Sequence, residues 1–221
     1  MNQAYWTAVD KYITDLLVPP EATLDAALAA SSSADLPPIQ VSPNLGKLLH
    51  LMARAIGARR ILELGTLGGY STLWLARALP ANGRLISLEA KAKNAQIARD
   101  NIAQAGFSDL VEVRVGQALD TLPQLATEDA HPFDLIFIDA DKSSYPDYFT
   151  WAIELSHSGS MIIADNVVRA GAVIDAESSD PNVQGVRKFN EMMAADPRVS
   201  ATAIQIVGSK GHDGFSIALV N

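Results

Sequence analysis

The chain contains no cysteine among its 221 residues, which excludes disulfides, thiolate metal ligands and a catalytic thiol. Any metal it binds must be held by oxygen or imidazole. No apolar run is long enough to span a bilayer although 48% of the residues are apolar, so a soluble chain with no membrane partner is expected. Met1 to Val18 lacks a basic start followed by an apolar core and cleavage site, and the expected location is cytoplasmic. Positive charge is in deficit. A formal net charge of -8 gives no general attraction to phosphate backbones, which counts against nucleic acid as a partner while leaving room for a local basic patch. The sequence also lacks internal repeats and low-complexity tracts, so one domain is expected over 1–221, with N-terminal helices in 1–57 and a binding core in 58–221.

What is present centres on Ile61 to Ser71, reading Ile-Leu-Glu-Leu-Gly-Thr-Leu-Gly-Gly-Tyr-Ser. An apolar run suited to a buried strand precedes the glycines, and residues at helical spacing follow them, so the glycines occupy a strand-to-helix turn. Such a turn lets backbone approach a ligand, and the following helix points unsatisfied N–H groups at the same spot, which favours a nucleotide or nucleoside. Gly65-x-x-Gly68 is not the full dinucleotide pattern, and glycine turns also serve purely local ends. Two acids sharpen the reading. Glu63 lies two residues before the first glycine, and Glu89 ends the next apolar run, where an acid can accept from ribose hydroxyls.

From Arg60 onward strand-like runs alternate with helices. The runs are Ile61 to Leu64, Arg84 to Glu89, Leu110 to Val115, Phe133 to Asp139 and Ser160 to Asp165; helices are expected at about 70–79, 91–105, 118–125, 145–156 and 183–195. Ala201 to Val207 and Gly214 to Val220 read as two strands joined by a turn. The pattern is that of an α/β fold with a doubly wound, mostly parallel seven-stranded sheet and an antiparallel last strand. Before it, an apolar stripe of Tyr5, Trp6, Val9, Ile13, Leu16 and Leu17 is expected on a first helix stopped by Pro19-Pro20, and a second helix near 21–30. The stripe suits packing within the chain, a dimer surface or a substrate lid. Ser31-Ser32-Ser33 through Pro38 is read as a loop, and Ser42 with Pro43 opens a helix running to about Ile56.

A second constellation lies at two later strand ends. Phe133-Asp-Leu-Ile-Phe-Ile-Asp-Ala-Asp-Lys delivers Asp139, Asp141 and Lys142, and Met161-Ile-Ile-Ala-Asp-Asn delivers Asp165 and Asn166. In a parallel sheet these tips open on the crevice of the glycine turn. Asp139, Asp165 and Asn166 form a hard oxygen set that could hold Mg²⁺, Mn²⁺ or Ca²⁺ with positions left for a chelating substrate. Asp-Asn alone also caps helices and turns. His50, His131, His157 and His212 lie scattered without metal spacing and read as surface or packing residues. Tyr145, Tyr148, Phe149 and Trp151 read as core, and Lys210 and His212 are turn residues within reach of a substrate.

These segments resemble the class I methyltransferases that bind S-adenosylmethionine, and within them the metal-dependent O-methyltransferases that include the catechol and caffeoyl-CoA enzymes and small bacterial members. The matching pieces are Glu-Leu-Gly-Thr-Leu-Gly-Gly-Tyr-Ser, Gly116-Gln-Ala-Leu, Phe-Ile-Asp-Ala-Asp-Lys, Ala-Asp-Asn-Val-Val and Val207-Gly-Ser-Lys-Gly-His-Asp-Gly-Phe. The resemblance implies a Rossmann-like methyltransferase fold and a homodimer. It implies a divalent cation, Mg²⁺ first, on Asp139, Asp165 and Asn166, with Lys142 as general base. It places the cofactor against the backbone of Val41, against Glu63, Gly65, Thr66 and Ser71 at the methionyl end, Glu89 at ribose and Ala118 at adenine, with Asp139 shared between cofactor and metal. Glu89 stands where plant relatives have aspartate, and the segment before Val41 lacks the plant-type substrate elements, which argues against a CoA-linked substrate. The expected reaction moves a methyl group to one hydroxyl of a catechol-like phenol such as caffeate or a flavonoid. Methylation of 5-hydroxyuridine in tRNA is the alternative, and a non-catalytic S-adenosylmethionine sensor a third.

Overall fold

Helix α1 (Gln3–Leu17) starts at Asn2, whose side chain accepts from the Tyr5 N–H, and ends where Pro19 forbids a helical predecessor. The computed structural model describes residues 2–128 and 132–221. Helix α2 (Ala22–Ser33) runs further than expected. Ser31 to Ser33, read as loop from their composition, form its last turn, and the Ser31 hydroxyl is satisfied inside the helix by donating to the Ala27 carbonyl at 2.8 Å. Helix α3 (Pro43–Ala55) begins as expected, with the Ser42 hydroxyl accepting from the Leu45 N–H at 3.2 Å.

The apolar stripe of α1 is not what holds the helix to the molecule. No residue of α1 is buried, and Tyr5, Val9, Tyr12, Ile13, Leu16 and Leu17 are exposed. The half-buried positions are Trp6, Asp10 and Thr14, four apart on another face. That face attaches through polar contacts: the Gln3 amide donates to the Gly208 carbonyl at 2.8 Å, and Asp10 accepts from the Ser209 N–H at 2.7 Å.

The remaining elements follow in order: β1 (Arg60–Leu64), α4 (Tyr70–Ala76), β2 (Arg84–Glu89), α5 (Ala92–Gln104), β3 (Val111–Val115), α6 (Ala118–Glu128), β4 (Phe133–Ile138), α7 (Tyr145–Glu154), β5 (Ser156–Asp165), α8 (Pro181–Ala195), β6 (Val199–Gly208) and β7 (Gly211–Val220). A single turn of 3₁₀ helix lies at Lys142–Ser144, and Arg169–Ile174 is 3₁₀-like but broken by a kink at Ala170 and Gly171. The seven strands form one sheet in the order β3-β2-β1-β4-β5-β7-β6. Strand β7 pairs antiparallel with both neighbours, while β1 to β5 pair in parallel. The final hairpin is longer than the sequence implied, because the pairing Val207↔His212 and Gly208↔Gly211 continues the strands into the segment read as turn.

Both faces of the sheet are covered, so strands read as continuous apolar runs whose alternate residues serve different cores. Leu62, Leu64, Ile86, Leu88, Ile136 and Ile138 pack with α6, α7 and α8. Ile61, Leu85, Leu135, Phe137 and Ile163 pack against α3, α4 and α5. The chain builds outward from β1 through β2 to β3, then returns to the other side of β1 with β4. That reversal opens a crevice at the carboxyl ends of β1 and β4, the place where such sheets bind ligands.

Candidate active site

Five segments meet at this crevice. Gly65 follows β1 with φ of 99°, and a Cβ built on it would stand 2.3 Å from the Asp139 carbonyl oxygen. Only glycine allows the turn to lie this close to the end of β4. Together with residues 36–41, the tip of β2 and the start of α6, the turn encloses a cavity of about 750 Å³. Val41, Gly65, Thr66, Ser71, Glu89, Ala118, Asp139, Lys142 and Asn166 all line it, so the structure brings together nine of the residues singled out from sequence.

Glu63 is not among them. Its side chain is fully buried beneath the turn, where Ser71 and Ser87 each donate a hydroxyl at 2.6 Å and Thr72 donates a third. Burial pushes its carboxyl up to about 7 against the pull of these donors. Thr66 is tied to the same network through Ser87 at 2.6 Å. Glu63 thus braces the turn from behind. Glu89 faces the cavity and also shapes it: one oxygen accepts from the Leu67 N–H at 2.8 Å, the other from the Lys91 N–H at 2.9 Å and the Asn94 amide at 3.2 Å. A carboxylate has about four lone-pair directions, which leaves acceptor capacity toward the cavity.

The parallel pairing of Ile138 with Ala164 sets Asp139 and Asp165 on adjacent tips, one residue beyond the register. Tyr145 holds the two tips together from below, its hydroxyl near the carbonyls of Asp165 at 2.9 Å and Ile138 at 3.2 Å. Lys142 Nζ donates to Asp139 Oδ1 at 2.7 Å. Both aspartates are raised above the usual carboxylate range, Asp165 to about 7, first by burial and then, for Asp165, by the charge of Asp139; Lys142 opposes the shift in both. Two neighbouring carboxylates, one buried and one half-buried, with one paired lysine form a pocket of unbalanced negative charge, which a cation would relieve. Asn166 follows with φ of 57°, a left-handed conformation that asparagine tolerates and that bends the chain away from β5. Among the described residues no group of three or more carboxylate, imidazole or thiolate ligands exists, so a cation here would depend on the mixed set of two carboxylates and the Asn166 amide. Asp141, the remaining acid of that segment, accepts from the Tyr148 and Ser144 hydroxyls and anchors the start of α7.

A second cavity of about 580 Å³ lies beyond Asp165 and Asn166, between residues 38–48, α1 and the β6–β7 hairpin. Asn166, Arg169 and the segment Pro38 to Val41 border both cavities. Arg169 and Asp213 escaped the sequence reading. They lie far apart in the chain and meet because β7 pairs with β5, where Asp213 Oδ1 accepts from the Val168 and Arg169 N–H groups at 3.0 and 2.9 Å. Among the described residues no histidine lines either cavity. His50 lies near the Trp74 carbonyl, His157 pairs with Asp134 at 2.9 Å and His212 with Gln205 at 3.0 Å, while His131 is outside the described residues. Lys210 does border the second cavity; Tyr145 and Phe149 are core residues as expected, while Tyr148 is buried yet also lines the first cavity and Trp151 is half-buried against the core.

Comparison with known proteins gives a consistent result. A family model described as O-methyltransferase matches residues 21–218. A catechol O-methyltransferase of Niastella koreensis is 52% identical over 220 residues, covering 100% of both chains. The structure of an O-methyltransferase from Bacillus cereus in complex with SAH superposes with a TM-score of 0.98 at 56% identity, covering 100% of both chains. The O-methyltransferase TomG from Streptomyces achromogenes, involved in tomaymycin synthesis and solved with SAM, gives 0.97 at 51% identity over 100% of this chain and 99% of that one.

Proposed function

This chain belongs to the O-methyltransferase family, as an S-adenosylmethionine-dependent enzyme, and on that premise we propose that it methylates one hydroxyl of a small aromatic vicinal diol with the help of a divalent cation. The observation that carries the proposal is the pair Asp139 and Asp165 on adjacent strand tips, Asp165 buried and Asp139 half-buried, with Lys142 at 2.7 Å from Asp139, between two cavities. The larger cavity suits the cofactor: Glu89 offers acceptors to ribose, Ala118 a small apolar contact to the base, and the Gly65 to Ser71 turn its backbone to the methionyl part. The smaller cavity suits the acceptor. Its wall includes Ile13, Leu45, Leu48, Ile206 and Phe215, side chains that fit an aromatic ring.

Bound S-adenosylmethionine supplies a methyl group on a cationic sulfur. A hard divalent cation on Asp139, Asp165 and Asn166 would supply charge that acidifies a chelated hydroxyl. The chain's own residues then do three things. Lys142, in its neutral amine form, would accept the hydroxyl proton at Nζ, and Asp139 aims that nitrogen by its hydrogen bond. Tyr145 and the parallel register of β4 and β5 keep the two carboxylates side by side. The segment Pro38 to Val41 and the hairpin narrow the approach from solvent, which favours a reaction in which opposite charges disappear. The name of the Niastella koreensis relative supports the acceptor class.

The test is methyl transfer to catechol from labelled S-adenosylmethionine with Mg²⁺, then with EDTA, then with Mg²⁺ restored. We expect loss in chelator and recovery on restoring the ion. Full activity in EDTA overturns the cation's role, and transfer to tRNA without transfer to catechols overturns the acceptor class.

A further inference from the structure

The second cavity carries charge as well as apolar wall, and most of that charge is engaged. Asp10 accepts from the Ser209 N–H at 2.7 Å, and Asp213 Oδ1 accepts from the N–H groups of Val168, Arg169 and Gly214 at 3.0, 2.9 and 2.9 Å. Lys210 Nζ donates to the Pro38 carbonyl at 2.7 Å, which ties the hairpin turn to the loop across the cavity. Arg169 is different. Among the described residues no hydrogen bond or ion pair reaches its guanidinium, and its Nε is buried without an acceptor. A buried donor left without an acceptor is costly, more so when the group is charged.

The backbone of Arg169 is also unusual. It has φ of 54°, as does Ala170, a left-handed conformation that neither residue type prefers, and the Asp213 carboxylate holds it there. The side chain is therefore directed by a fixed backbone, and it borders both cavities. Asn166, three residues earlier, borders them too.

We propose that Arg169 pairs with a carboxylate on the methyl acceptor, so that the preferred substrate is an aromatic vicinal diol bearing an acid group. The assignment rests on the reading of the smaller cavity as the acceptor site. A guanidinium matches a carboxylate with two parallel hydrogen bonds, which fixes orientation as well as affinity. With the diol chelated to a cation that Asp139, Asp165 and Asn166 would hold and the acid at Arg169, a small ring would be gripped at two points, and this sets which hydroxyl faces the cofactor. The methionyl carboxylate of the cofactor offers the same chemistry from the other cavity, and the experiment separates the two sources.

The full-length protein with Mg²⁺ is assayed for kcat and KM on 3,4-dihydroxybenzoate and on catechol, and for SAH affinity by calorimetry. Wild type is compared with Arg169→Asn, which suits the left-handed backbone, and with Arg169→Lys. Wild type should prefer the acid, and Arg169→Asn should lower the ratio of kcat/KM for the acid to that for catechol by about tenfold or more, mainly through KM. Arg169→Lys should recover part of the ratio, and SAH affinity should stay within about twofold. An unchanged ratio, an equal loss on both acceptors, or a loss confined to SAH overturns the proposal. If wild type methylates neither compound, the acceptor assignment itself fails, and direct binding of 3,4-dihydroxybenzoate decides: binding that Arg169→Asn does not weaken overturns the pairing as well.

Discussion

Glu63 illustrates how a single side chain can matter to a site it does not touch. Its carboxyl is raised from 4.5 to about 7, chiefly by burial. A group whose folded pKa lies above its unfolded value adds stability that is complete below the unfolded value and lost as pH rises through the folded one. Metal-free, cofactor-free protein should therefore lose stability between about pH 4.5 and 7 on account of Glu63. Thermal melting across that range should show a shallower decline for Glu63→Gln, and identical slopes would reject the assignment. The amide oxygen can still accept from two of the Ser71, Thr72 and Ser87 hydroxyls, and its NH₂ group can donate to the third once that hydroxyl turns, so the turn should survive the change. The residue types needed at the strand tips were legible because the apolar runs of β2, β4 and β5 lead into Glu89, Asp139 and Asp165. Which acid faces the cavity was not, since Glu63 lies within β1 and points to the protected side while Glu89 ends β2 at the opening.

Among the elements, α8 is the one whose service to the site is least visible in sequence. Gly185 lies against the backbone of the 3₁₀ turn that carries Lys142, and a Cβ there would stand 2.3 Å from the Lys142 carbonyl oxygen and 2.7 Å from Ser143 Cα. Close approach of helix and turn sets where Lys142 begins. Gly185→Ala should push the turn outward, costing roughly 1–3 kcal/mol of stability by overpacking. It should lower kcat by about tenfold or more while SAH affinity stays near wild type, because a misplacement near 1 Å at a reacting group costs about a hundredfold. Unchanged kcat in a folded variant would free Lys142 from this support. Helix and strand positions along the core were legible from apolar periodicity and caps such as Ser42-Pro43. The errors fell at ends: Ser31 to Ser33 joined α2 and residues 208–213 joined a hairpin, since polar or glycine-rich composition yields to helix and ladder hydrogen bonds once neighbours provide them.

For the whole molecule, the exposed face of α1 remains to be accounted for. Tyr5, Val9, Tyr12, Leu16 and Leu17 stand in water on a helix that attaches by its polar side, while Ile13 lines the second cavity, and Ile204 and Val207 of the edge strand β6 are exposed nearby. Contiguous apolar surface of this kind marks an association site. We expect the protein to sediment as a dimer and Tyr12→Glu with Leu16→Glu to yield monomers; a monomeric wild type would dismiss this. Sequence by itself determined the alternation of strand and helix, the glycine turn, and the chemistry at the strand tips, because period, turn chemistry and residue type are local properties. Only the tertiary structure decided that Asp139 and Asp165 are neighbours held by Tyr145, that Glu63 braces while Glu89 faces the cavity, that α1 presents most of its apolar side outward, and that Arg169 and Asp213 border the second cavity. Each of these depends on which residues distant in the chain are brought together by strand pairing and packing, and no window along the sequence contains that information.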